Sequence, residues 1–114
     1  MPSPARAAAS AWHAERVWIG WMEFDLLLGD VHSLKEKRAV VRPIVAELRR
    51  TFALSAAEVG DQDLHRRSSV GVAAVAADAA HLIEVLDTVE RFVADRPEIE
   101  LLSARRRMRS SDDD

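Results

Sequence analysis

The sequence predicts an α+β sandwich, a four-stranded antiparallel sheet with two helices on one face, and three observations carry that prediction. Apolar residues alternate over 17–28 as in a half-buried strand. Two later stretches repeat them at helical spacing, and the segments run in the order strand, helix, strand, strand, helix, strand. A βαββαβ chain contains two crossover units, and right-handed crossovers set both helices on the same side of the sheet.

In the first segment the even positions Trp18, Met22, Phe24, Leu26 and Leu28 are apolar, interrupted only by Gly20. The odd positions mix Ile19, Trp21 and Leu27 with Glu23 and Asp25, so the other face of this strand is partly open. Gly29-Asp30 ends the run. Ser33-Leu34-Lys35-Glu36 is a capping box, in which the Ser hydroxyl accepts from the Glu36 amide and the Glu side chain reaches back. The helix it opens runs to about Arg50, with Leu34, Val41, Ile44, Val45 and Leu48 on one stripe and Pro43 opposite.

Phe52 to Val59 reads as the second strand and Ser68 to Ala76 as the third, joined by the polar hairpin loop 60–67. Asp78 caps a second helix with the stripe Leu82, Leu86, Val89 and Val93. Pro97 lies beyond its end, and Ile99, Leu101 and Leu102 begin a fourth strand. The pattern is that of a ferredoxin-like βαββαβ sandwich, an architecture that hosts many unrelated functions and selects none of them. Residues 1–16, rich in Ala, Pro and Ser, are expected to form a disordered arm. Residues 17–108 form the domain, and residues 109–114 a disordered acidic tail.

At 114 residues the chain has the length of one domain. With no cysteine, disulfides, thiolate metal sites and a cysteine nucleophile are excluded. No apolar run has the length of a signal peptide or a membrane span, so a cytoplasmic protein without membrane contact is expected. The net charge of −3 is supplied by Asp112, Asp113 and Asp114, and the remainder balances. Arginine outnumbers lysine fourteen to two, a bias that phosphate recognition and a GC-rich genome both produce.

Motifs for chemistry are sparse. Asp61, Asp63 and His65 alternate in the hairpin loop, but three such residues on one loop read as a solvated turn rather than a metal site. His13, His32 and His81 have no evident partner for acid–base work, and Ser68 and Ser69 lie in a strand without an elbow motif. There is no glycine-rich phosphate loop. No enzyme activity, cofactor, metal or small-molecule substrate is therefore expected. An RNA-stacking sheet needs aromatics on its central strands, and the third strand has none.

One charge pattern stands out. Lys35, Arg38, Arg42 and Arg49 fall within about 60° of one another around the first helix. Residues 33–50 hold six cations against Glu36 and Glu47, net +4, whereas 78–95 hold five carboxylates against Arg91, net −4. Mutual attraction of two oppositely charged helices explains this without a ligand. However, Lys35, Lys37 and Arg38 crowd the positive end of the helix dipole, where an exposed cation costs about 0.3–1 kcal/mol. A helix N-terminus with added cations suits a phosphate. The open sheet face, with Ile19, Trp21 and Leu27, is a second candidate surface, for a protein partner or a second copy; a face partly covered by the N-terminal arm with Trp12 explains the same pattern.

The string Val31-His32-Ser33-Leu34-Lys35-Glu36-Lys37-Arg38, followed by Val40-Val41-Arg42, resembles the YlxP-like family of small bacterial proteins, a domain of unknown function. The likeness continues through Ala57-Glu58-Val59-Gly60, Gln62-Asp63, Gly71-Val72-Ala73, Leu86-Asp87-Thr88-Val89 and Phe92-Val93, over roughly residues 17–107. The chain departs from the family pattern at Pro43, where a small residue such as Ser is usual, and at His65-Arg66, where Trp-Gln is frequent. The arm before Val17 is additional to the family core. The resemblance implies a ferredoxin-like fold and a link to ribosome maturation or translation; it supplies no catalytic residues. The expectation is a non-enzymatic module that contacts ribosomal RNA or a ribosomal particle. Lys35, Lys37, Arg38, Arg42 and Arg49 would face phosphate, with Arg66 and Arg67 as auxiliaries. The alternative is a protein-interaction module, possible as a homodimer, built on Ile19, Trp21 and Leu27.

Overall fold

Each alternating segment becomes a strand whose apolar face is turned to two helices. The computed structural model describes residues 16–61 and 63–113. Of the arm expected over 1–16, residues 1–15, with Trp12 and His13, lie outside the described residues. Strand β1 (Trp18–Leu28) pairs antiparallel with β3 (Arg67–Ala76) on one side and β4 (Ile99–Ser110) on the other. Strand β2 (Ser55–Gly60) extends the sheet beyond β3, giving the order β2-β3-β1-β4. With helices α1 (Leu34–Phe52) and α2 (Ala79–Ala94) this is the ferredoxin-like α+β arrangement.

The core lies between the sheet and the helices. Met22, Phe24, Leu26 and Leu28 of β1 are buried against Ile44 and Leu48 of α1 and Leu82, Leu86 and Val89 of α2. Gly20 interrupts the apolar set because α2 sits directly on it: a Cβ there would lie 2.8 Å from Leu86 Cδ1 and 3.0 Å from Leu82 Cδ2. Register on the β4 side shifts between Asp25 and Leu26, where Leu102 is the extra residue of a bulge. Both helix caps form. Ser33 Oγ accepts from the Glu36 amide at 3.1 Å, and Asp78 Oδ1 accepts from the His81 amide at 2.7 Å. Glu36 reaches one residue further out than a capping box requires, accepting from the His32 amide at 2.7 Å.

Three boundaries differ from the sequence expectation by two residues or more. Helix α1 continues through Phe52, and β2 begins only at Ser55. Phe52 is held by the helix layer: its ring meets that of Phe92 on α2 edge-on, with centroids 5.4 Å apart, and Ala53 ends the helix in the left-handed conformation. The tail is also shorter than expected. Arg109 and Ser110 are strand residues, and the Ser111 amide donates to Val17 O at 2.7 Å. Asp113 then accepts from the Ser110 amide at 2.7 Å, and Asp112 faces Arg16 at 3.0 Å. These bonds tie the chain after β4 to the residues before β1.

Candidate functional site

The first helix divides its cations between two tasks. Lys35, Arg38 and Arg42 are exposed, and with Ala39 and Pro43 they line one shallow concavity on α1. None of the three has a carboxylate partner among the described residues. The acidic helix does not answer them either. Asp87 and Glu90 of α2 are engaged by Arg106 of β4, at 2.9 and 3.4 Å. Attraction between the helices, the explanation without a ligand, is thus not realised through these side chains.

Lys37 is a correction. It was expected to contact phosphate, but only 2% of its surface is exposed. Its spacing from Leu34, Val41, Ile44 and Leu48 places it on the apolar stripe rather than beside it. Its ammonium faces Glu58 Oε2 at 3.0 Å and also donates to the carbonyl of Asp61. Ser68 Oγ donates to the same Glu58 oxygen at 2.7 Å. The cluster therefore fastens α1 to β2, β3 and the hairpin turn, where Asp61 holds a left-handed φ of 59°.

The other expected cations are partly committed. Arg49 Nε donates to Ala56 O at 2.8 Å, which ties the C-terminal half of α1 to β2. Arg66 Nε donates to Gly29 O at 2.9 Å and to Leu28 O at 3.2 Å, closing the end of β1. Arg67 is exposed but pairs in register with Leu27, which puts it on the sheet face opposite the helices. Arg67 therefore does not extend the α1 surface, and Arg66 is held at the end of β1. The hairpin residues Asp61, Asp63 and His65 are not brought together as a metal-ligand group among the described residues.

The open face is organised in rows by the sheet register. One row runs Ser55, Ala73, Trp21, Arg107 across the four strands, and the next contains Val75, Ile19 and Arg109. A third runs Ala57, Gly71, Glu23, Arg105. An apolar trough of about 320 Å³ lies on the β2–β3–β1 side, between Trp21 and Val59, with Gly71 and Ala73 as its floor. Ile19 and Trp21 belong to this apolar region. Leu27 does not: it lies at the other end, between Arg67 and Glu100. Arg105, Arg107 and Arg109 were absent from the sequence reading, although their alternation in a strand was a usable signal.

The profile of a family described as "Protein of unknown function (DUF503)" matches residues 19–106, from β1 into β4. The chain belongs to this family. A curated relative, "Uncharacterized protein YlxP" of Bacillus subtilis (strain 168), is 39% identical over 82 residues, covering 72% of this chain and 89% of the relative. Both agree with the resemblance read from the Ser-Leu-Lys-Glu-Lys-Arg string, and neither describes an activity. Among the described residues no helix is long and apolar enough to cross a membrane.

Proposed function

We propose that this domain is a non-enzymatic module that contacts RNA backbone through α1, in ribosome maturation or translation. The observation that carries this reading is the cluster of Lys35, Arg38 and Arg42: exposed, on one concave surface, and without carboxylate partners among the described residues. Two of these cations sit in or beside the first turn, where they oppose the helix dipole, so folding alone does not favour them there. A phosphate backbone offsets that conflict, and contacts of this kind read charge and shape rather than sequence. The ribosomal setting is what the family resemblance implies.

The test is sedimentation of tagged protein with ribosomal particles through sucrose gradients at low and high salt. Replacing Lys35, Arg38 and Arg42 with Gln is expected to leave thermal unfolding intact or slightly improved while removing co-sedimentation. With purified RNA, the salt slope is expected to flatten by about 2–3 for three lost contacts. If the triple variant co-sediments as the parent does, α1 is only a solvated face and the proposal fails.

A further inference from the structure

We infer that the open sheet face is a docking surface for an acidic protein segment, one in which a large apolar side chain is flanked by carboxylates. This surface lies on the opposite side of the sheet from α1, and the inference does not depend on the RNA reading.

Two features of the face complement each other. On the β2–β3–β1 side the trough between Trp21 and Val59 is apolar, and the residues around it remain open: Val59 is 57% exposed, Val75 69% and Ile19 44%. Its floor is low because Gly71 has no side chain; a Cβ there would lie 3.2 Å from Val59 Cγ1. A contiguous exposed apolar patch bordered by charge is the signature of an interaction surface.

The charge beside it is of both signs, but the carboxylates there are paired and the free charge is positive. Glu23 and Asp25, the acidic residues in the middle of the face, are both engaged by Arg105, at 2.7 and 3.8 Å. Asp25 also accepts from Ser103 at 2.7 Å. Arg107 and Arg109 are exposed and have no partner among the described residues. Arg107 stands directly across from Trp21, and Arg109 directly across from Ile19. Alternate residues on a strand are about 6–7 Å apart, which is also the spacing of alternate carboxylates on an extended peptide lying along β4.

Other occupants fit less well. An isologous dimer centred on the trough would bring the free Arg107 and Arg109 of each copy to a face whose carboxylates beside the trough, Glu23 and Asp25, are already engaged by Arg105. Single-stranded nucleic acid has the right charge, but it needs aromatic platforms, and beyond Trp21 the trough is walled and floored by Val59, Ala57, Ala73 and glycine.

The test is selection of a phage-displayed random dodecapeptide library on the immobilised full chain, followed by fluorescence anisotropy of the enriched peptides. Enriched sequences are expected to carry a large apolar residue flanked by Asp or Glu. Ala73→Arg, which fills the trough from an exposed strand position, is expected to weaken their binding at least tenfold. Arg107→Gln with Arg109→Gln is expected to weaken it severalfold and to reduce its salt dependence. The Lys35, Arg38 and Arg42 to Gln variant is expected to bind them as the parent does, which separates this surface from the RNA reading. The inference is overturned if nothing enriches above background, if the enriched peptides are basic or show no charge bias, or if they bind Ala73→Arg equally well. It is also overturned if sedimentation equilibrium shows a dimer that Ala73→Arg dissociates, or if an oligouridine occupies the trough in place of peptide.

Discussion

Replacing Lys37 by Met tests the division of labour on α1. Met matches the stem of the side chain but removes the ammonium that faces Glu58 at 3.0 Å and donates to Asp61 O. Breaking a buried ion pair from one side costs about 3–5 kcal/mol. The Glu58 side chain is 24% exposed, so solvent screens part of that cost, and a loss of about 2–3 kcal/mol is expected. With a urea slope of about 1–3 kcal/mol per molar, the midpoint of unfolding followed by circular dichroism falls by about 0.7–3 M. Lys35→Met, two residues away but exposed, is expected to change stability by less than about 0.5 kcal/mol. Adding Glu58→Leu to Lys37→Met removes both charges, and the double variant is expected to recover at least about 1 kcal/mol relative to the sum of the single changes. Because Lys37 is enclosed, the RNA contact proposed for α1 predicts that its loss leaves the salt slope of binding unchanged in protein that remains folded. An unfolding midpoint no lower than that of Lys35→Met, or additive single changes, would refute the assignment of Lys37 to the architecture.

Two further predictions follow from the packing. Gly20→Val forces a branched side chain against Leu82 and Leu86 and is expected to cost about 1–3 kcal/mol by overpacking, measured by urea unfolding, whereas Gly29→Ala, with open space around it, is expected to change stability far less. Truncation after Ser110 removes the Ser111 bonds to Val17, the Asp113 cap and the exposed Arg16–Asp112 pair; a loss of about 1–2 kcal/mol is expected. Hydrogen exchange at Val17 checks it, because protection there falls if Ser111 holds the start of β1.

How far the sequence reveals this molecule depends on whether a residue's role is local. The strands, both helix caps and the βαββαβ order are legible because they rest on periodicity and on hydrogen bonds spanning three or four residues. The end of α1 was misplaced because Phe52 is placed by Phe92, forty residues away, and a lone aromatic before an apolar stretch reads equally well as strand. The tail was misread because its partners, Val17 and Arg16, precede the sheet. Lys37 was legible and overlooked: residues 34, 37, 41, 44 and 48 keep the spacing of one helix face, but charge counting put the lysine with the surface cations. The open face was foreseen at Ile19 and Trp21, whereas its arginines needed the register to show that they share a side with those residues.

The Ser-Leu-Lys-Glu-Lys-Arg string that marks the family therefore contains two kinds of residue. Ser33 and Glu36 cap the helix, Leu34 is half-buried, and the buried Lys37 fastens the helix to the β2–β3 hairpin through Glu58 and Asp61. Those four residues are accounted for by folding. Lys35 and Arg38 are not: they are exposed, opposed by the helix dipole and without carboxylate partners among the described residues. Arg42, one turn further on, shares their concavity and lies outside the string. A functional test of the motif must therefore leave Lys37 in place. A variant that replaces every cation of the string loosens the hairpin and confounds any change in binding with a change in fold, whereas changing Lys35, Arg38 and Arg42 alone isolates the surface that folding does not require.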